Sequence, residues 1–231
     1  MKTVETLHHA QSAILSTLQY ATRARYSELR RAAGMESDSF KFHIRKLVHN
    51  GSIFKADDGL YELTAEGKAF VSRLDRGTGR EIEQPKSSML MIVRCGKFVL
   101  AHRRDREPFN VFWGIASSPV LRGVPLTESA ARALRTQTGV VAQFRVAGSY
   151  RVIDQTKRGV VLEDKIFAVM VADLDRLTSP REWSGGESLW MSVDELLAKT
   201  PLFPSTGGVF EMLATGQPFR EDVCVYRDSQ Y

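Results

Sequence analysis

The sequence predicts an α+β chain of two domains: a small one of helices and a short hairpin, then a larger one in which a capped helix is set between two strand-rich regions. Three observations predict it. Residues 1–75 alternate helix-period apolar patterns with polar caps and contain one hairpin signal. Residues 76–86, RGTGREIEQPK, combine two glycines, a proline and five charged residues in the manner of a linker. Residues 87–231 then carry apolar strand-like runs on both sides of one capped helix pattern at 123–140. A length of 231 residues with 43% apolar composition is ample for two cores.

In chain order, Val4, Leu7, Ile14 and Leu18, with Ala10 and Ala13, mark an amphipathic first helix ending before Arg23-Ala24-Arg25. Ser27 is placed to cap a short second helix, ELRRAA, which Gly34 closes. After a turn at Met35 and Glu36, Ser37 or Asp38 caps a third helix running to Asn50-Gly51, with Phe40, Ile44 and Leu47 at core spacing. Strands at 52–55 and 60–63 meet at Asp57-Asp58-Gly59, and Thr64 caps a fourth helix through about residue 74. This order, and the phrase YSELRRAAGMESDSFKFHIRKLVHNGSIFKADDGLYELTAEGKAF, resemble the small bacterial and archaeal winged helix-turn-helix regulators.

The resemblance covers residues 1–75 and implies that the third helix enters the major groove of double-stranded DNA. Ser37, Ser39, Lys41 and Arg45 then face outward. Arg45 would reach guanine or phosphate, while Lys41, Lys46 and the hairpin residue Lys55 would hold phosphate. Charge agrees: residues 1–80 carry 13 Lys and Arg against 9 Asp and Glu, four of the chain's five net positive charges. Glu36, Asp38, Asp57 and Asp58 oppose it by repelling phosphate, and the competing reading is a dimerisation or protein-docking module. His43 and His49, six apart, and the adjacent His8 and His9, expected to point away from each other, read as packing residues and not as a metal site.

In the larger domain, residues 89–93 and 98–101 read as strands across the turn Cys95-Gly96-Lys97, followed by His102-Arg103-Arg104 and the aromatic run at 109–113. Thr127 is placed to cap the helix at 123–140, and Gly139 to end it, with a new strand beginning at Val140. Residues 143–150, 151–153 and 165–171 supply further strands, and 187–197 reads as strand, turn and helix capped by Ser192. Ser205-Thr206-Gly207-Gly208 is too short for a phosphate loop and reads as a turn before a last helix at 208–214. No motif is legible in the tail.

Arg132, Leu134, Gly139 and Val140 in that order resemble the Nudix superfamily, whose box reads Gly, five residues, Glu, seven residues, Arg-Glu-hydrophobic-any-Glu-Glu-any-Gly-hydrophobic. The implied fold is an α/β/α sandwich with a mixed sheet. The four glutamate positions of the box hold Val124, Ala133, Thr136 and Gln137. Carboxylates three and four residues apart on one helical face would converge on magnesium, which neutralises a diphosphate and activates water. Here no catalytic residue is assigned and no cofactor is expected, magnesium entering only if Glu163 or Glu187 replaces the missing acids. Fold does not carry function across.

What the resemblance implies for a ligand falls just after the second strand. Arg103, Arg104 and Arg106 would meet phosphates, Phe109, Phe112 or Trp113 would stack on a base, and Arg132, deprived of its glutamate partner, would face another acid or a phosphate. The alternative places the aromatics in the core and pairs the arginines with Asp105 and Glu107. The expected function is a transcription regulator, working as a homodimer, whose Nudix-like part senses a nucleotide-derived or other phosphorylated ligand. Regulators joining the two modules are known, usually in the reverse order. The rival readings are a Nudix hydrolase of nucleoside diphosphate derivatives using acids outside the box, and a non-enzymatic scaffold. Two distant cysteines, an opening MKTVETLHHA without a secretory apolar stretch, and no membrane-length apolar run make the cytoplasm the expected setting.

Overall fold

A computed structural model describes residues 7–75, 82–181 and 183–231, excepting the side chain of residue 228. The chain divides into two compact units, Met1–Glu83 and Gln84–Tyr231. Val4 and residues 76–81 of the expected linker lie outside the described residues.

The first unit runs α1 (His9–Ala21), β1 (Arg23–Ala24), α2 (Tyr26–Ala33), α3 (Ser37–His49), β2 (Ile53–Lys55), β3 (Tyr61–Leu63) and α4 (Ala65–Val71). Its core gathers Ile14, Leu15 and Leu18 of α1, Leu29 of α2 and Phe40, Ile44 and Leu47 of α3. The strands form an antiparallel sheet in the order β1-β3-β2. β1, two residues long, carries too little pattern to be expected from sequence. Two caps differ from expectation. Helix α2 starts at Tyr26, because the Glu28 carboxylate accepts from the Arg25 backbone N–H at 2.6 Å and draws Ser27 into the first turn. Glu36, with extended backbone, precedes α3, so Ser37 and Asp38 are already helical. Thr64 does cap α4, its hydroxyl accepting from Gly67 N–H at 2.9 Å, although the helix stops at Val71.

The second unit holds β4 (Lys86–Cys95), β5 (Phe98–Arg104), β6 (Trp113–Ile115), β7 (Ser117–Pro119), α5 (Leu126–Thr138), β8 (Arg145–Thr156), β9 (Val161–Asp173), β10 (Gly186–Ser192), α6 (Val193–Leu197), α7 (Ser205–Thr215) and β11 (Phe219–Tyr226). The sheet order is β10-β5-β4-β9-β8-β11, with β6 on β5 and β7 on β4. It is mixed: β4 pairs β9 in parallel and β8 pairs β11 in parallel, while β8–β9 and β5–β10 are antiparallel. Alternation along β4 serves two cores. Met89, Met91 and Val93 pack with Ala130 and Leu134 of α5, whereas Leu90 and Ile92 pack with Val209 and Met212 of α7.

Several boundaries move. Lys86 opens β4 and does not end a linker. Helix α5 begins at Leu126 with Pro125 before it, so Thr127 lies inside the first turn; Gly139 ends it at φ 74°. Val140, Ala142 and Phe144 are buried without strand pairing, and the next strand starts at Arg145, because this stretch inserts side chains into the core beneath α5. From there one continuous β8 replaces the two expected segments, and the tail contributes β11. Residues 205–208 form the first turn of α7, not a separate turn. Among the described residues no helix is long and apolar enough to cross a membrane.

Candidate functional site

Alternation along the parallel pair β4–β9 sets Lys86, Ser88 and Leu90 beside Lys165 and Phe167 on one sheet face, with Glu163 next along β9. His102 and Arg104 of β5, Arg106, Phe109, Ser117–Pro119, Trp183, and Ser205 and Thr206 of α7 complete the wall of a cavity of about 200 Å³.

Its electrostatics rest on one carboxylate among several cations. Glu163 meets Lys86 Nζ at 2.6 Å and Lys165 Nζ at 2.8 Å. Burial pushes the Glu163 carboxyl up, but the two ammonium groups outweigh it and hold it below its ordinary range. Lys165 also pairs with the buried Asp154, which burial raises despite that partner. The lysine itself, lowered by burial, is raised overall by its two acids. Arg104 is different: it donates to the backbone carbonyls of Arg106 at 3.0 Å and Glu107 at 3.3 Å, and burial together with Arg106 lowers its pKa. The Arg106 guanidinium lies 5.8 Å from the Trp183 ring centre. Burial, followed by Arg104 and Arg106, pushes His102 down to about 4, so its ring is neutral at physiological pH; Nδ1 lies 3.2 Å from Ser188 Oγ.

Of the ligand residues expected from sequence, Arg104, Arg106 and Phe109 reach this cavity and Arg103, Phe112, Trp113 and Arg132 do not. Alternation along β5 turns Arg103 away, onto Asp105 at 3.2 Å, Glu187 at 3.3 Å and the Trp113 ring. Trp113 is a core residue paired into β6. Arg132 stands over a separate surface depression on α5 with Glu128, Arg135 and Arg181. Phe109 is nearly buried at 2% exposure, its ring packed against Phe112, Phe203 and Tyr226 with the Lys165 ammonium 5.7 Å from its centre, so little of it is left for a base to stack on. Lys86, His102, Lys165, Trp183, Ser205 and Thr206 were not expected. A signal existed for one: in EDKIF, Lys165 sits two residues before the core residue Phe167 on the same strand face.

The residues do not fit a magnesium ion at the box positions. Ala133 offers a methyl group, Thr136 is exposed, and Gln137 donates through Nε2 to the Ser117 carbonyl at 3.2 Å while its Oε1 is buried without a hydrogen-bond partner. Val124 lies in the turn before α5. Glu163 is held by lysines, Glu187 by Arg103, and among the described residues no three His, Cys, Asp or Glu side chains cluster to hold a metal.

On the first unit, Ser39, Lys41 and Arg45 are exposed on α3, Ser37 and Lys46 are half-buried, and Lys55 is exposed on β2. Phe42, 64% exposed, shares that helical face. The hairpin acid Asp58 is turned onto Arg23 at 2.8 Å and accepts from Leu60 N–H, and Asp38 pairs with Lys41 at 3.2 Å, so two of the opposing carboxylates are locally neutralised. The histidines correct an expectation. His8 caps α1 through Nδ1, and the cap turns its ring towards His9, 4.2 Å away, and stacks it on His43 at 4.1 Å. Burial and the neighbouring His8 lower His43.

No protein-family model and no curated protein matches the chain. Among solved structures, the NUDIX domain of Shewanella oneidensis NrtR complexed with ADP ribose aligns with a TM-score of 0.50 at 14% identity, covering 66% of this chain and 98% of that one. The MutT NUDIX hydrolase of Burkholderia pseudomallei aligns at 0.47 and 22% identity, covering 56% of this chain and 98% of that one. At such identities the likeness establishes fold: the chain contains an α+β Nudix domain fold with a mixed sheet.

Proposed function

We propose that the chain is a DNA-binding transcription regulator of the cytoplasm, in which a winged helix at residues 1–75 is joined by a linker at 76–85 to a ligand-sensing Nudix domain that opens with Lys86 of β4. The observation that carries this reading is the pairing of a box whose four glutamate positions hold Val124, Ala133, Thr136 and Gln137 with a cavity rich in cations. Such a site attracts an anion and lacks the acids that would organise a metal for its hydrolysis. The ligand is phosphorylated and nucleotide-like, and ADP-ribose, bound by the NrtR neighbour, is the first probe.

Support for DNA binding comes from α3, whose exposed face carries Lys41 and Arg45 beside the exposed Lys55. In a homodimer, ligand binding would change how two winged helices span two half-sites, which requires different ligand affinity in the two arrangements. Selection of genomic DNA fragments by the full-length chain, with and without ADP-ribose, tests the proposal. Recovery of a repeated sequence, weakened by Arg45→Ala, is expected; sequence-independent recovery or none rejects it. The hydrolase reading requires metal-dependent release of a phosphorylated product, and it is weakened by the lysine partners of Glu163 and the arginine partner of Glu187.

A further inference from the structure

The cavity is small for a whole nucleotide derivative. At about 200 Å³ it falls below the roughly 300 to 1,000 Å³ of pockets that enclose drug-sized ligands. Its wall also divides by chemistry. Arg104 and Arg106 are neighbouring like charges; the first donates to backbone carbonyls through Nε and Nη2, leaving Nη1 for a ligand, and the second lies over Trp183. An anion relieves that repulsion. Ser205 and Thr206 bring the positive end of the eleven-residue α7 to the same cavity, adding to the attraction.

Glu163 imposes the opposite requirement. Its side chain is 13% exposed, faces the cavity and stays ionised between two lysines. A bare phosphate gains nothing from a carboxylate in its site, whereas hydroxyl groups donate to one. His102, neutral and partly buried, is a further hydrogen-bonding group for an uncharged polar ligand. A single ligand that satisfies both parts of this one cavity therefore carries an anionic group and hydroxyl donors.

We infer that this cavity is a sugar-phosphate site, taking a phosphorylated pentose with its phosphate on Arg104 and Arg106 and its hydroxyls on Glu163 and His102. The inference rests on the proposed sensing of a phosphorylated ligand and narrows it to the sugar-phosphate portion.

Calorimetric titration of the full-length chain with ribose 5-phosphate, ribose, inorganic phosphate and ADP-ribose tests it. Ribose 5-phosphate is expected to bind at least tenfold more tightly than phosphate, with no heat from ribose. Glu163→Gln should weaken ribose 5-phosphate at least tenfold while tightening inorganic phosphate, since it removes both an acceptor and a repelling charge; a misfolded variant would lose both. Arg104→Met should weaken both. Equal affinity for phosphate and sugar phosphate in the parent, or equal loss of the two in a Glu163→Gln variant whose circular dichroism and unfolding midpoint match the parent, overturns the assignment. Binding of ADP-ribose without ribose 5-phosphate overturns it and leaves the nucleotide reading standing, whereas absence of all binding removes both.

Discussion

The Lys165 ammonium lies 2.8 Å from the Glu163 carboxylate and also meets Asp154, so one cation on β9 serves two acids, the second of them 1% exposed. Removing that cation strands a buried charge. Lys165→Met is expected to cost about 3 kcal/mol, because breaking one side of a buried pair leaves the other uncompensated. Urea unfolding at neutral pH measures it. Asp154→Asn added to Lys165→Met should recover part of the loss; a double variant no more stable than the single one would show that packing, and not the stranded carboxylate, is responsible.

His102 ties stability to pH. Its pKa falls from the ordinary 6.5 to about 4 on folding, so the unfolded chain takes up a proton that the folded chain refuses. The stability contribution is fully present above about pH 6.5 and is lost as pH falls towards 4, by about 3 kcal/mol in all. Stability curves measured from pH 7 to 4 should flatten in His102→Asn by that amount. If the variant and the parent keep parallel curves, the imidazole is not buried in the neutral state.

Much of this architecture was legible because it is written in local chemistry. The Gly34 and Gly139 helix ends, the Thr64 and Ser192 caps and the turns at Gly59 and Gly96 each depend on residues within a few positions, and each stands where the sequence placed it. The cavity was legible only in part, since it joins side chains from β4, β5, β9 and α7 that no local pattern links. Arg103 and Arg104 look alike in sequence; strand alternation sends one to Glu187 and the other to the cavity. Lys165 and Glu163 gain meaning only when β9 lies beside β4 and brings Lys86 alongside. Residues 205 and 206 likewise needed the helix direction, not the glycines after them, to become part of the wall.

The pairing of Arg23 with Asp58 gives the DNA reading a consequence beyond α3. With an operator obtained by selection, Arg45→Ala should cost about 1–3 kcal/mol and relax one base position, while Lys55→Ala should lower the salt slope by about one. Arg23→Ala should weaken binding at low salt by exposing the hairpin-tip acid to phosphate. Fluorescence anisotropy across a salt series separates these. Uniform behaviour of all three variants would mean that α3 and the hairpin do not touch the duplex.

Gly67 shows how tightly α4 closes on the hairpin. A Cβ built there stands 1.9 Å from the Ser52 carbonyl oxygen, which accepts from Thr64 N–H at 3.1 Å. Neither backbone can yield cheaply, because the carbonyl belongs to the turn entering β2 and the N–H to the cap of α4. Gly67→Ala is therefore expected to destabilise the first unit by about 2–3 kcal/mol, as overpacking does. Gly34→Ala makes the contrast: at φ 63° with nothing within 4 Å, it should cost only about 1 kcal/mol of backbone strain. Hydrogen exchange of amides in β2, β3 and α4 distinguishes the two, with protection falling across all three elements in Gly67→Ala and largely retained in Gly34→Ala. Equal loss in both variants would mean that the contact between α4 and Ser52 is looser than 1.9 Å implies.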